Sequence, residues 1–239
     1  AGMLGKIGTD TFGRLLTNTL RQAGIETKGL VAADDFFTTL AFVTLDANGD
    51  REFAFVRKPG ADTQLTFDEL DLSLIDATRV LHFGTLSLTD EPVRTTTRRA
   101  VEYAKQHGKL ISFDPNLRKP LWRDLSDAKT QMLWGLQHAD VVKISDEEVE
   151  FLFGMGAAEG AAHIIDRFGV KLVFVTCGAN GCYFQNPAAA GQVPGLSGLK
   201  VVDTTGAGDI FGGSAVWKLL RTEKAPETLS REELVEITR

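Results

Sequence analysis

The residues best suited to chemistry lie together in Asp203-Thr204-Thr205-Gly206-Ala207-Gly208-Asp209. A short apolar run at 200–202 precedes them and is expected to be a strand. An apolar-periodic run at 210–221 follows and is expected to be a helix. Small residues just ahead of a helix leave N–H groups bare and let a ligand approach the backbone closely. The helix dipole adds roughly half a positive charge there, so Gly206, Ala207 and Gly208 together make an anion hole. Asp209 falls in the first helical turn, where the same dipole favours its ionised form. A carboxylate beside an anion hole suits phosphoryl transfer: it accepts the proton of an attacking hydroxyl while the amides stabilise charge on the transferred group. The turn is expected to need a positive φ at Gly208. The plain alternative is a glycine-rich turn with an acidic residue in the helix's first turn. The whole heptad in a strand-to-helix setting argues against it.

Elements that would position this motif follow from the periodicity. Residues 11–23 carry apolar side chains at 12, 15, 16, 20 and 23, a helical spacing that Gly24 ends. Between 38 and 57, Leu40 and Phe42, then Phe53 and Phe55, alternate with other residues on either side of Asp46-Ala47-Asn48-Gly49-Asp50. That pattern is an antiparallel hairpin. From residue 79 the rhythm is strand and helix in turn: 79–83, 93–107, 109–114, 126–138, 141–144, 158–168 and 172–176. Short apolar strands alternating with amphipathic helices indicate an α/β fold, a doubly wound and mostly parallel sheet between helices. Ligands in such sheets sit beyond the carboxyl ends of the strands. Gln185 to Ser197, rich in Pro, Ala and Gly, is expected to be a surface loop. The opening residues Ala1 to Gly5 read as a strand end entering a loop, and the last ones as mid-helix.

The 239 residues carry a formal charge of −6, which gives no basic footprint for non-specific nucleic-acid binding. An anionic nucleotide is still compatible, because a backbone cradle and Mg²⁺ can hold it. No apolar run reaches the ~18 residues of a membrane span, and no signal peptide is evident. Cys177 and Cys182 lack zinc-site spacing and read as two small apolar side chains in a reducing cytosol. There is no G-x-x-x-x-G-K-[ST] loop, and Gly154-Met155-Gly156 has no third glycine for a dinucleotide fingerprint. Arg118, Arg57 and Lys143, each near a strand end, are either anion-binding donors or surface charges. His82 reads as a hydrogen-bonded histidine in a buried strand. The acidic run Asp146-Glu147-Glu148-Glu150 reads as a solvated helix start.

The heptad is very similar to the signature of ribokinase-like (PfkB) sugar kinases. His82-Phe83-Gly84-Thr85-Leu86-Ser87-Leu88 with Glu91-Pro92, and Phe113-Asp114-Pro115-Asn116-Leu117-Arg118 with Leu121-Trp122, resemble the fructokinase branch. So do Lys143-Ile144-Ser145-Asp146-Glu147-Glu148 and the lid-like Phe53-Ala54-Phe55-Val56-Arg57 with Ala61-Asp62. The resemblance implies a cytoplasmic enzyme that moves the γ-phosphoryl group of ATP to a sugar's primary hydroxyl, D-fructose first. Other sugars of the family, 2-keto-3-deoxygluconate among them, and nucleosides are the alternatives; a non-catalytic sugar or nucleotide sensor is the alternative of another class.

By the resemblance Asp209 is the catalytic base and Gly206, Ala207 and Gly208 its anion hole. Thr176, Gly178 and Gly181 match a nucleotide-binding turn, and Asn116, Arg118 and Lys143 fall where the family meets phosphate or sugar. Arg57 is the sugar-facing residue of the lid. Glu148 acts on Mg²⁺ through water, though Ser145 stands where the family's motif has Asn. Asp203 and Thr205 match positions that hold an activating K⁺ in many relatives. The resemblance also implies further segments before Ala1 and after Arg239, and a division into an α/β domain (1–37 and 63–239) and a β lid (38–62) through which a homodimer forms.

Overall fold

Asp10 starts the first helix and ties it to Thr38, just ahead of the hairpin. Its carboxylate accepts the Gly13 N–H at 2.9 Å and the Thr38 N–H at 2.8 Å. The Thr38 amide above all holds its pKa below the usual carboxylate value. The computed structural model describes residues 1–45, 51–198 and 204–239. The expected turn at 46–50 and the expected strand at 200–202 lie outside the described residues. The chain divides into two units. One comprises Ala1–Leu81, Thr85–Lys109 and Arg118–Ala128; the other comprises His82–Gly84, Leu110–Leu117 and Lys129–Arg239.

In the first unit, β1 (Gly5–Gly8) pairs in parallel with β2 (Leu30–Ala33), and α1 (Thr11–Gln22) connects them. The opening residues therefore lead into a strand, where the sequence suggested a strand running out into a loop. Gly13 passes so close to the Gly8 carbonyl that a Cβ would sit 2.0 Å from it. Helix α1 has the expected periodicity, but Phe12, Leu15 and Leu16 are 49%, 59% and 46% exposed. The hairpin is present: β3 (Leu40–Leu45) runs antiparallel to β4 (Arg51–Val56), with Leu40 opposite Val56 and Leu45 opposite Arg51. Phe42, Val43 and Val56 are all exposed, so both faces of this ribbon are open within its unit. Two further helices, α2 (Leu72–Ala77) and α3 (Val93–Gln106), complete the unit. Val93, Val101 and Ala104 are buried on one stripe of α3.

The second unit is built on a six-stranded sheet. Its strands are β5 (Val80–Gly84), β6 (Leu110–Asp114), β7 (Val141–Ser145), β8 (Leu172–Thr176), β9 (Cys182–Gln185) and β10 (Ala190–Val193), in the order β10-β9-β8-β7-β6-β5. Strands β6, β7 and β8 are parallel; β9 pairs antiparallel with β8, and β10 antiparallel with β9. The expected loop at 185–197 thus contains an edge strand. Ala-Gly-Gln-Val has little strand propensity of its own and is held by pairing with β9.

Helices α4 (Leu125–His138), α5 (Asp146–Phe153), α6 (Ala157–Phe168), α7 (Ala207–Thr222) and α8 (Arg231–Thr238) accompany the sheet. Alternate residues of a strand serve opposite faces. Leu172 and Phe174 of β8 join Phe184, Ala215, Leu219, Leu234 and Ile237 under α7 and α8. Phe83 of β5 packs against Phe113 of β6 and against Trp134 of α4, and Gly135 leaves room for the Phe113 ring. Phe113, Phe174 and Phe184 are fully buried and set the thickness of this core.

Candidate active site

Helix α7 opens at Gly206, which is left-handed with φ 79° and caps the helix without a side-chain hydrogen bond. The positive φ belongs to Gly206, whereas the sequence pointed to Gly208. Ala207 donates its N–H to the Thr204 carbonyl at 3.1 Å, closing the turn, and Ile210 donates to the Gly206 carbonyl at 2.8 Å. Gly208 and Asp209 carry first-turn N–H groups that no acceptor among the described residues takes. The anion-receptive donors are therefore those of Gly208 and Asp209, while Ala207 spends its amide on the turn.

Gly208 is a glycine for a different reason. A Cβ there would lie 2.8 Å from Lys143 Nζ, and one on Gly212 would lie 4.0 Å from Lys143 Cδ. The two glycines are four residues apart, hence on one face of α7, and the Lys143 side chain runs beneath them. Lys143 Nζ donates to Asp114 Oδ2 at 3.0 Å, with side-chain exposures of 12% and 6%. Asp114 ends β6 and Lys143 lies near the end of β7, so this buried pair sits at the carboxyl ends of the parallel strands, where ligands bind in such sheets. Burial pushes the Asp114 pKa up to about 6, against the lowering effect of Lys143, and the charges of Glu148 and Asp209 raise it further.

Asp114 also organises the next loop. Its Oδ1 accepts the Asn116 N–H at 3.1 Å, an Asx turn, and Asn116 is left-handed at φ 45°. That conformation brings Asn116 Nδ2 to 3.3 Å from Asp209 Oδ1. Gly84 of β5 lies against this strand end, where a Cβ would come within 2.7 Å of the Asp114 carbonyl. His82 lies on β5, the end strand of the sheet, and as a residue it is exposed rather than buried as expected, although its imidazole is largely screened from water. It does hydrogen-bond as expected, to Ser112 Oγ at 3.0 Å. Desolvation lowers its pKa, the Asp209 charge opposes that and Lys143 adds to it, so the imidazole belongs to the same electrostatic neighbourhood.

Glu148 closes a capping box on α5. Its Oε2 accepts the Ser145 N–H at 2.9 Å while Ser145 Oγ accepts the Glu148 N–H at 3.2 Å. Ser145, where the resemblance leads one to expect Asn, is thus a competent cap. Oε1 of Glu148 accepts the Leu117 N–H at 2.7 Å, tying α5 to the loop that carries Asn116. Thr176 ends β8 next to a turn in which Gly178 and Gly181 have φ 52° and 91°. A Cβ on Gly181 would lie 2.0 Å from the Val193 carbonyl, so only glycine fits. An open groove of about 800 Å³ runs beside this turn, lined by Cys177, Ala179, Asn180 and Pro194 among others.

Two expected site residues belong to the first unit. Arg57 is 9% exposed and is no solvated decoration of the hairpin. Its Nε donates to Asp62 at 2.7 Å, Nη1 to Thr89 at 2.8 Å and Nη2 to the Leu86 carbonyl at 2.7 Å. All three nitrogens therefore brace the root of the ribbon. Arg118 is half-buried at the start of the segment Arg118–Ala128. Thr205 is exposed just ahead of α7, and Asp203 lies outside the described residues.

Among the described residues no three His, Cys, Asp or Glu side chains converge to ligate a metal directly. The charges of Glu148 and Asp209 both bear on Asp114, which Lys143 offsets. That surplus of negative charge fits a hydrated divalent cation held at a distance.

An anion-receptive helix start, a carboxylate in its first turn and a buried ammonium below, all at the carboxyl ends of a mostly parallel sheet, define an α/β phosphotransferase. The comparisons make the class specific. The model of the pfkB family carbohydrate kinases matches residues 1–235. Fructokinase-1 of Zea mays is 44% identical over 233 residues, 97% of this chain and 71% of that protein. Fructokinase-2 of Solanum lycopersicum is 41% identical, covering 97% and 70%. The fructokinase of Vibrio cholerae O395, solved with fructose, ADP and a calcium ion, superposes with TM-score 0.87 at 31% identity, over 99% of this chain and 75% of that one. Fructokinase of Xylella fastidiosa with bound ATP gives TM-score 0.89 at 29% identity, over 99% and 74%. The chain belongs to the PfkB family of carbohydrate kinases. It is a phosphotransferase that acts on a sugar hydroxyl.

Proposed function

We propose that this kinase takes D-fructose and MgATP and gives fructose 6-phosphate and ADP. The observation that carries the choice of sugar is the 44% identity, over nearly the whole chain, to a relative named fructokinase. Asp209 accepts the proton of the C6 hydroxyl. The Asn116 amide holds Oδ1, which leaves Oδ2 for the incoming hydroxyl. The N–H groups of Gly208 and Asp209 receive the negative charge of the transferred group, helped by the α7 dipole and by the Lys143 ammonium beneath the turn. Gly206 shapes that turn and Ala207 closes it.

Thr176, Gly178 and Gly181, with Asn116 and Lys143, are the groups we assign to the nucleotide. Mg²⁺, when bound, screens the donor's phosphates, and Glu148 is the residue that would meet its hydration shell. A K⁺ site would include Thr205. The exposed ribbon β3–β4, with Phe42, Val43 and Val56, is the surface through which we expect a homodimer. The two unpaired cysteines, one of them buried, suit the reducing cytosol in which such an enzyme would work. The product decides the regiochemistry. Phosphorus–carbon coupling in the NMR spectrum of the product should place phosphate on C6, and phosphate on C1 would overturn this assignment.

A further inference from the structure

We propose that Asp114 is the positioning residue that couples the base to the cation under the glycine turn. The proposal rests on the kinase reading of the site, but not on the identity of the sugar. Its two carboxylate oxygens have different partners. Oδ2 holds Lys143 Nζ at 3.0 Å, and that nitrogen lies 2.8 Å from where a Cβ on Gly208 would stand. Oδ1 takes the Asn116 N–H at 3.1 Å and so selects the left-handed backbone that brings Asn116 Nδ2 to Asp209. One side chain therefore sets where the ammonium sits beneath the anion-receptive turn and how the base is oriented. It touches neither the transferred group nor the hydroxyl in this scheme.

The site around it is charged from several elements: Lys143 from β7, Glu148 from α5 and Asp209 from α7 bear on Asp114, and His82 from β5 senses Asp209 and Lys143. Keeping Asp114 ionised there depends on Lys143. Burial lifts its pKa to about 6, so it protonates as pH falls through that value and releases the ammonium.

The test uses the full chain and whichever sugar it turns over fastest, so a wrong sugar assignment leaves it standing. Asp114→Asn keeps an acceptor for the Asn116 N–H and removes the charge that holds Lys143. It should lower kcat about 10- to 100-fold while the KM values for sugar and ATP stay within about threefold. The wild-type kcat profile should fall below about pH 6, and Asp114→Asn should lose that fall. Lys143→Met should move it to higher pH, because the charge that lowers the Asp114 pKa is gone. Combined in one protein, the two substitutions should cost far less than the product of their separate effects, as for groups that act as one unit. Wild-type kcat in a folded Asp114→Asn variant, or an acid fall unmoved by Lys143→Met, overturns the proposal. A chain that releases no ADP with any sugar overturns the kinase reading beneath it.

Discussion

Gly208→Ala adds one methyl group where the structure has no room for it. The new Cβ would lie 2.8 Å from Lys143 Nζ, about 0.6 Å short of ordinary van der Waals contact. Lys143 cannot yield freely, since its ammonium is already 3.0 Å from Asp114. A retreat of about 0.6 Å along that bond would stretch it to about 3.6 Å, past the hydrogen-bonding range, and the alternative is for the first turn of α7 to lift by the same amount. Either way the anion-receptive N–H groups and the ammonium separate. Overpacking of this kind costs about 1–3 kcal/mol, and misplacement near 1 Å can cost about 10²-fold in rate. We expect kcat to fall about 10- to 100-fold, with Tm lower by only about 2–8 °C. Gly213→Ala is the control: no atom lies within 4 Å of its Cβ position, so kcat should hold while Tm rises slightly from better helix propensity. The assay is coupled ADP release on both variants, beside a thermal melt. A Gly208→Ala enzyme with kcat within twofold of wild type would refute the packing argument.

Asp209→Asn should lower kcat by about 10²–10⁴ with little change in the KM for ATP, since it removes the proton acceptor and leaves the nucleotide site intact; near-wild-type turnover would exclude Asp209 as the base. Arg57→Ala removes three donors from a buried position, though Asp62 is partly solvated, so we expect a loss of about 2–3 kcal/mol, read as an earlier urea midpoint. An unchanged midpoint would show that the root of the ribbon does not depend on Arg57. Phe42→Asp puts a charge on the exposed ribbon and should shift sedimentation from dimer to monomer; an unaltered dimer would place the subunit contact elsewhere.

The helix start at 206–209 and the strand–helix rhythm between residues 79 and 176 were legible because the period and the turn residues agree. The alternation of Leu172, Phe174 and their neighbours is enforced by burial on two faces. Strand β10 was not legible, since Ala-Gly-Gln-Val is held by its partner rather than by its own propensity. Nor was the identity of the left-handed glycine: both Gly206 and Gly208 allow a positive φ, and only the helix start distinguishes them. Asp114 was visible merely as part of a run. An Asp two residues before an Asn at a strand end signals an Asx turn, but its ion pair with Lys143, 29 residues away, is tertiary. For Arg57, position on a hairpin left a solvated and a ligand-facing reading open; the solvated one fails, because the fold turns the side chain inward onto Asp62, Thr89 and Leu86.

The most direct test of the central claim is the comparison of kcat/KM across sugars, by ADP release from saturating MgATP. A site built on polar contacts rejects a sugar that leaves buried groups unpaired. D-Fructose should exceed 2-keto-3-deoxygluconate, ribose and glucose by at least about tenfold, roughly 1.4 kcal/mol of transition-state binding. A higher value for 2-keto-3-deoxygluconate would contradict the fructose assignment, and ADP release indifferent to every sugar would contradict the sugar kinase itself.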